Sequence, residues 1–264
     1  MLIAITRAVS PALNRCELEF LARRPIDVEL AAAQHRRYEE RLRALGATVV
    51  SLPAEPDLPD SVFVEDPALV LDEIAVITQM GAESRRPEAE SLALALARYR
   101  PLRRLREPAT LEGGDVMRMG RTLFVGVSRR TNPEGIRQLS QVVEPFAYTV
   151  APIAVHGCLH LKSAVCGVGP GTVLLNRDWI DIAPLAGLRL IPVAPDEPAA
   201  ANVLAIGGTV LIPAAFPATR RILEDQGFKV ESLDISELMK AEAALTCSSL
   251  IFEAGPGTIS NSRS

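Results

Sequence analysis

The chain has 264 residues, of which 48% are hydrophobic, enough apolar material for one large core or two ordinary ones. Its formal net charge of −4 argues against a nucleic-acid or anionic-membrane partner, either of which calls for a basic excess. No run approaches the roughly 18 apolar residues that cross a bilayer.

Residues 1–6, Met1-Leu-Ile-Ala-Ile-Thr6, lack a basic leader and meet a charge at Arg7. They read as a first strand rather than a signal peptide, so the cytoplasm is the expected compartment. A helix is predicted over 28–45 and a strand over 47–52. Pro67-Ala-Leu-Val-Leu71, the turn Asp72-Glu73 and Ile74-Ala-Val-Ile-Thr78 predict a hairpin. A helix over 83–99 follows, with Leu92, Leu96 and Tyr99 on one side, then an extended segment over 101–107.

The same pattern returns at intervals of roughly 40 to 50 residues, a spacing typical of repeat architectures. Strands over 115–119 and 122–126 precede a helix over 132–143, with Asn132 and Pro133 as N-cap and first-turn signals. An outer strand over 148–155 completes that unit. A third unit has strands over 163–168 and 172–176, a short helix over 178–185 and a strand over 188–193. A fourth has strands over 202–206 and 209–213, a helix over 217–226 ended by Gly227, and a strand over 228–233. Residues 249–252 supply one strand of a fifth, which residues 1–6, 28–45 and 47–52 would complete.

The expected fold is therefore α/β: five ββαβ repeats around a central channel, a five-bladed α/β-propeller that leaves no long sheet edge exposed. An ordinary α/β sandwich is the alternative. Residues 1–253 form a single expected domain, and the Gly- and Ser-rich residues 254–264 read as a disordered tail. The oligomeric state, a homodimer included, stays open.

Chemically reactive residues recur just before the first strand of each unit: Glu65-Asp66, Glu112-Gly-Gly-Asp115, His160-Leu-Lys162 and Cys247. In a closed ring these ends converge. A Cys, a His and carboxylates arriving together make an activated-thiolate site. Cys16, Cys158, Cys166 and Cys247 show no disulfide spacing and read as free thiols. A buried structural cysteine is the alternative for Cys247, and a satisfied core histidine for His160. Of the other histidines, His35 reads as solvated on a polar helix and His156 as a loop residue.

His156, Cys158 and His160 alternate as metal ligands on a strand would, but Gly157 interrupts them and a fourth ligand is lacking. Gly167-Val-Gly-Pro-Gly171 leads into a strand rather than a helix, so it is a turn and not a dinucleotide loop. Arg85 and Arg130 occupy equivalent places in successive units. Together they could hold a carboxylate; each alone reads as a solvated loop charge.

These residues carry a family resemblance. Pro59-Asp-Ser-Val-Phe-Val-Glu-Asp66, Gly81-Ala-Glu-Ser-Arg-Arg86, Leu111-Glu-Gly-Gly-Asp115, Arg130-Thr-Asn132, Leu159-His-Leu-Lys-Ser163 and Leu245-Thr-Cys247 look like the dimethylarginine dimethylaminohydrolases. These are guanidino-group-modifying hydrolases with a five-bladed α/β-propeller fold. The resemblance runs from about residue 5 to residue 252. It implies Cys247 as nucleophile, His160 as general acid/base and Glu112 as the group that orients His160. It implies Asp66 on the substrate guanidinium, with Glu65 near it. Asp60 would bind the α-amino group, with backbone carbonyls at Leu18 and Ala241, and Arg85 and Arg130 the α-carboxylate. Residues 11–25 would be a lid.

Related deiminases and amidinotransferases resemble one another in a His-x-Asp whose carboxylate grips a second guanidinium edge; here that place is Lys162. A methylated nitrogen has fewer N–H donors to satisfy, which favours a methylarginine substrate. The resemblance implies a small-molecule partner, no cofactor and no metal. The rival readings are an arginine deiminase, a hydrolase of another Nω-substituted arginine, a non-catalytic methylarginine-binding protein and a zinc protein built on His156, Cys158 and His160.

Overall fold

The computed structural model describes residues 1–255; of the tail expected over 254–264, residues 256–264 lie outside the described residues. The chain runs β1 (Leu2–Arg7), α1 (Val28–Ala44) and β2 (Thr48–Leu52), then β3 (Ala68–Val70), β4 (Ala75–Ile77), α2 (Glu88–Leu96) and β5 (Leu102–Arg104). There follow β6 (Val116–Met119), β7 (Thr122–Val127), α3 (Pro133–Val143) and β8 (Thr149–Ala154). Next come the single turn α4 (Leu161–Ala164), β9 (Val165–Gly169), β10 (Thr172–Leu175) and β11 (Arg189–Pro192). The last elements are β12 (Leu204–Ile206), β13 (Thr209–Pro213), α5 (Pro217–Asp225), β14 (Lys229–Leu233), α6 (Ser236–Met239) and β15 (Leu250–Glu253).

The strands make five three-stranded sheets. In each, the middle strand pairs antiparallel with the strand before it in the ring and parallel with the one that follows. One sheet joins the two ends of the chain: β15 lies against β1, with Leu2 opposite Glu253 and Ile5 opposite Leu250. The N-terminal ammonium sits 3.0 Å from the Glu253 carboxylate, and Ala254 N–H donates to the Met1 carbonyl at 2.8 Å.

Alternation along the middle strands explains the ring. Ala4 faces the cluster shared with Ile206 and Leu211, whereas Ile3 and Ile5 face that shared with Ala75 and Ile77. Val76 turns to Leu123 and Val125, Phe124 to Val173 and Leu175, and Leu174 to Val210 and Ile212. Each middle strand is thus apolar on both faces and feeds two interfaces, as its unbroken hydrophobic run requires. Five clusters join five sheets in sequence and return to the first, so the five-repeat propeller expected from the pattern is what forms.

Local signals held where they depend on near neighbours. The Asn132 side chain caps α3 by accepting Gly135 N–H at 2.7 Å, Asp27 caps α1, and Gly227 has φ +88° just past α5. Elsewhere the structure corrects the expectation. The helix over 83–99 is split: residues Glu83–Arg85 make a 3₁₀ turn, and α2 starts only after Pro87. The helix over 178–185 is reduced to a 3₁₀ turn at Ala183–Leu185. The stretch expected as a strand from residue 163 begins inside α4, so β9 starts at Val165.

His35, expected in solvent, is buried on α1 with its ring centroid 6.0 Å from that of Tyr38 and Nε2 3.6 Å from the Glu39 carboxylate. The polar look of α1 misleads there because that face packs on β1: Glu39, one turn on from His35, accepts Thr6 Oγ1 at 2.6 Å. Among the described residues no helix is long and apolar enough to cross a membrane.

Candidate active site

The residues before the inner strands meet at one end of the ring. Asp66 precedes β3, Glu112 precedes β6, His160 caps α4 ahead of β9, and Cys247 lies in a 3₁₀ turn ahead of β15. His160 and Cys247 line two adjoining cavities of about 20 Å³ each. One is walled by Asp60, Asp66, Arg85, Arg130 and Ala241, the other by Glu65, Lys162 and Asn202. The sulfur of Cys247 accepts a hydrogen bond from Ala244 N–H at 3.5 Å.

His160 is oriented by carboxylates. Its Nε2 lies 2.8 Å from Glu112 Oε2, and its Nδ1 3.8 Å from Asp66 Oδ1. Burial would lower its pKa, but the charges of Asp66 and Asp115 and the Glu112 hydrogen bond outweigh it and hold the imidazolium up to about 9. Glu112 is fully buried; burial would raise its pKa, and His160, Arg85 and Arg130 bring it down to about 2. The result is an ion pair with Nε2 committed to Glu112 and Nδ1 facing the cavity. Burial, with Glu65 and Asp66 adding to it, pushes the Cys247 thiol well above its ordinary range. At neutral pH the resting site thus holds a neutral thiol beside an imidazolium.

The arginines are not solvated. Arg85 is 4% exposed and donates to Asp66 Oδ2 at 2.8 Å and to both Glu88 oxygens, at 3.1 and 2.9 Å. Arg130 is 8% exposed and donates to both Glu112 oxygens at 3.3 Å and to Glu19 Oε2 at 3.2 Å. The early turn at Glu83–Arg85 carries Arg85 down to this network, which is why no continuous helix forms there. Asp60 accepts Glu17 N–H at 3.1 and 3.3 Å. Glu65 bonds Lys162 Nζ and accepts Thr246 Oγ1 at 2.8 Å, which places both just behind Cys247. Leu18 packs on the cluster containing Ala4 and Tyr38 and does not line the cavity; its neighbour Glu17 does.

The Glu112-Gly-Gly-Asp115 run stands out in the sequence, but no separate role is read there for Gly113, Gly114 or Asp115. A Cβ on Gly114 would sit 2.4 Å from His160 Nδ1 and 2.7 Å from Asp66 Oδ1, and one on Gly113 would sit 2.0 Å from the Glu65 carbonyl oxygen. Only glycine lets this backbone pass so close to His160, Asp66 and the Glu65 carbonyl. Asp115 accepts Leu161 N–H at 2.9 Å and Ser128 Oγ at 2.6 Å, tying the residue after His160 to the neighbouring sheet. Glu88, the partner of Arg85, and Glu19 and Glu242 on the mouth carried no signal of their own.

The His156, Cys158, His160 alternation does not form a ligand set, since β8 ends at Ala154 and Cys158 Sγ bonds the His160 carbonyl at 3.4 Å. Among the described residues, Asp66, Glu112 and His160 bring ligand atoms within 4.8 Å of one another. Their lone pairs are engaged by Arg85, Arg130, Gly114 N–H, Ala82 N–H and each other. The four cysteines are unpaired, and burial pushes the Cys158 and Cys166 thiols up to about 12.

Comparison with known proteins agrees with this arrangement. A family model described as N,N dimethylarginine dimethylhydrolase, eukaryotic, matches residues 13–181. The chain is 39% identical over 248 residues to the N(G),N(G)-dimethylarginine dimethylaminohydrolase of Streptomyces coelicolor, covering 94% of this chain and 95% of the relative. Its fold superposes with a TM-score of 0.90, at 31% identity, on a cysteine-to-serine variant of the Pseudomonas aeruginosa enzyme complexed with citrulline, covering 94% of this chain and 98% of that one. A histidine-to-glycine variant of a dimethylarginine dimethylaminohydrolase, as an adduct with S-methyl-L-thiocitrulline, is similar at TM-score 0.90 and 31% identity, with 96% and 100% covered. By family model, sequence and structure alike, the chain belongs to the dimethylarginine dimethylaminohydrolase family.

Proposed function

We propose that this chain is a cofactor-independent hydrolase that converts Nω-methylated arginines to citrulline and methylamine or dimethylamine. The observation that carries this reading is the small polar cavity in which Cys247 and the Glu112-held His160 face Asp66. The guanidinium carbon is a weak electrophile because its charge is shared over three nitrogens. Its attack requires a strong nucleophile and a proton for the departing amine.

In this reading the substrate guanidinium lies against Asp66, whose charge keeps the thiol protonated in the empty site. The cation offsets Asp66 and Glu65, the Cys247 proton goes to solvent, and the thiolate adds to the guanidinium carbon. His160 Nδ1–H, aimed into the cavity because Nε2 is held by Glu112, passes its proton to the methylated nitrogen. The C–N bond breaks, leaving an S-alkylthiouronium. Neutral His160 then takes a proton from water, which adds to the same carbon; the C–S bond breaks, the remaining hydroxyl proton goes to solvent, and citrulline and the thiolate result.

Asp60 serves the α-ammonium and Arg130 with Arg85 the α-carboxylate; Ala241, and Leu18 through its neighbour Glu17, frame that end. Glu65 and Lys162 form the floor. Residues 1–253 act as one catalytic domain, in the cytoplasm, where free thiols stay reduced.

The test is citrulline formation from asymmetric dimethylarginine beside free arginine, with EDTA present. Turnover of the methylated substrate alone supports the reading. Turnover of arginine alone would make the chain a deiminase and Lys162 a misleading signal.

A further inference from the structure

The segment over the mouth already fills both poles of the amino-acid cradle. At one pole, Glu17 N–H donates to the Asp60 carboxylate, where a substrate ammonium would sit. At the other, the Glu19 carboxylate spans Arg130 Nε at 3.2 Å and Arg129 Nη1 at 3.2 Å. The segment is pinned by a third carboxylate. Glu242 accepts the backbone N–H groups of Glu19 at 3.0 Å and Phe20 at 2.6 Å, and that of Leu21. Glu242 does so with φ +58°, a left-handed conformation that a non-glycine residue adopts at some cost.

Three physical points give Glu19 its meaning. Arg130 is buried, and Glu112, which it shares with His160, is already committed to the imidazolium. A second carboxylate at the Nε edge completes its charge balance, because an unpaired buried cation is costly. The seat is not ideal for Glu19: its Oε1 is buried without a hydrogen bond although Arg129 lies within ion-pair distance. Exchange of Glu19 for a substrate carboxylate therefore conserves charge at Arg130 and lets a better-placed acceptor take over.

We propose that Glu19 is a specificity determinant that acts as an internal competitor for Arg130, displaced only by a ligand bearing its own carboxylate. The inference rests on the methylarginine reading of the site. A free amino acid evicts Glu19 and frees the segment to re-close over it. A ligand without the carboxylate leaves Glu19 in place and gains nothing from Arg130. The site is in this way tuned against decarboxylated guanidines and against methylarginine whose carboxylate is tied up in a peptide bond.

The experiment measures binding of asymmetric dimethylarginine and of its decarboxylated counterpart, Nω,Nω-dimethylagmatine, by calorimetry. It uses Cys247→Ser protein with and without Glu19→Gln, while turnover of both compounds is followed in the wild type and in Glu19→Gln. Removing the competitor is expected to tighten the amino acid by about fivefold, the scale of one partly exposed ion pair. The agmatine is expected to bind no better, or more weakly, since Arg130 then keeps only Glu112, which it shares with His160. In turnover the same substitution lowers KM for the amino acid and leaves kcat nearly unchanged.

Glu242→Gln, which loosens the segment that carries Glu19, should favour the amino acid over the agmatine in the same direction as Glu19→Gln but by less. Equal shifts for both ligands in Glu19→Gln, or an amino acid bound no tighter, overturn the proposal. Wild-type protein that fails to turn over dimethylarginine overturns the functional reading instead, and the binding comparison still decides the role of Glu19.

Discussion

The two ends of the propeller axis bury different things. At the end where the inner strands begin, the space is about 20 Å³ and its walls are Asp60, Asp66, Arg85, Arg130, His160 and Cys247. At the other end a cavity of about 460 Å³ opens between strands, walled largely by Leu2, Leu69, Val116, Val203, Leu250 and Phe252. Glu65 and Lys162 line both the large cavity and the pocket beside Cys247, so they separate the two. Closure of the ring needs only the apolar strand faces. The charged end adds ties between neighbouring sheets, such as Asp115 to Leu161 N–H, but its buried charges chiefly hold one another in fixed protonation states. Stability and chemistry are thus separable along the axis, and substitutions at the two ends should part accordingly.

Cys247→Ser should break the comparison most sharply. With no other thiol lining the two small cavities, kcat for citrulline formation falls by about 10⁴ or more while the melting temperature barely moves. A conservative change in the far wall, Leu69→Val, leaves kcat within about twofold and costs about 1 kcal/mol of stability. Equal kinetic losses from the two would show that the ends are not separable.

Gly114→Ala comes next, because its methyl would enter the space of His160 Nδ1 and Asp66 Oδ1. Misplacing the acid/base by about 1 Å lowers kcat by about 10². A near-normal rate in a correctly folded Gly114→Ala protein would mean that Nδ1 does not need its present position.

Glu112→Gln keeps the shape of the partner and removes its charge. His160 then loses the carboxylate that helps hold it at about 9, and its pKa falls. In the wild type, kcat/KM should decline as pH rises through about 9; in Glu112→Gln that limb moves to lower pH and kcat drops by about 10²-fold. Stability follows the same sign. A histidine whose folded pKa is raised contributes fully below its usual 6.5, and that contribution is lost as pH rises through about 9. Melting temperatures measured from pH 6 to 10 should therefore converge between wild type and Glu112→Gln at the alkaline end.

What could be read in the sequence follows the same division. The apolar runs of β1, β4, β7, β10 and β13 announce strands buried on both faces, and their spacing announces the ring. Asp66, Glu112, His160 and Cys247 are legible because each stands at the same step of its repeat. The burial of Arg85 is not, since it is set by Asp66 and by Glu88 beyond Pro87. That of His35 is not, because its partner Glu39 is held by Thr6 on β1, a tertiary contact with no local pattern. Glu19 and Glu242 are ordinary charges in irregular chain, and their meeting is a tertiary event with no local pattern behind it.

Among the substitutions at the charged end, Lys162→Met is the smallest in rate and the one that tests the boundary itself. Burial raises the Glu65 carboxyl pKa and Lys162 is the main group pulling it back. With the ammonium gone, Glu65 is pushed further up and takes a proton in the folded state. A carboxyl that binds its proton more tightly folded than unfolded makes stability fall as pH rises. The variant should therefore lose about 3 kcal/mol at neutral pH, as broken buried pairs do, and recover much of it near pH 5. Citrulline formation should drop only about tenfold, since neither Cys247 nor His160 bonds Lys162, and arginine should not become a substrate, because no second carboxylate is created. A loss as large as that of Glu112→Gln would place Lys162 in the chemistry rather than beneath it, and the division between the two ends of the axis would have to be drawn one residue deeper.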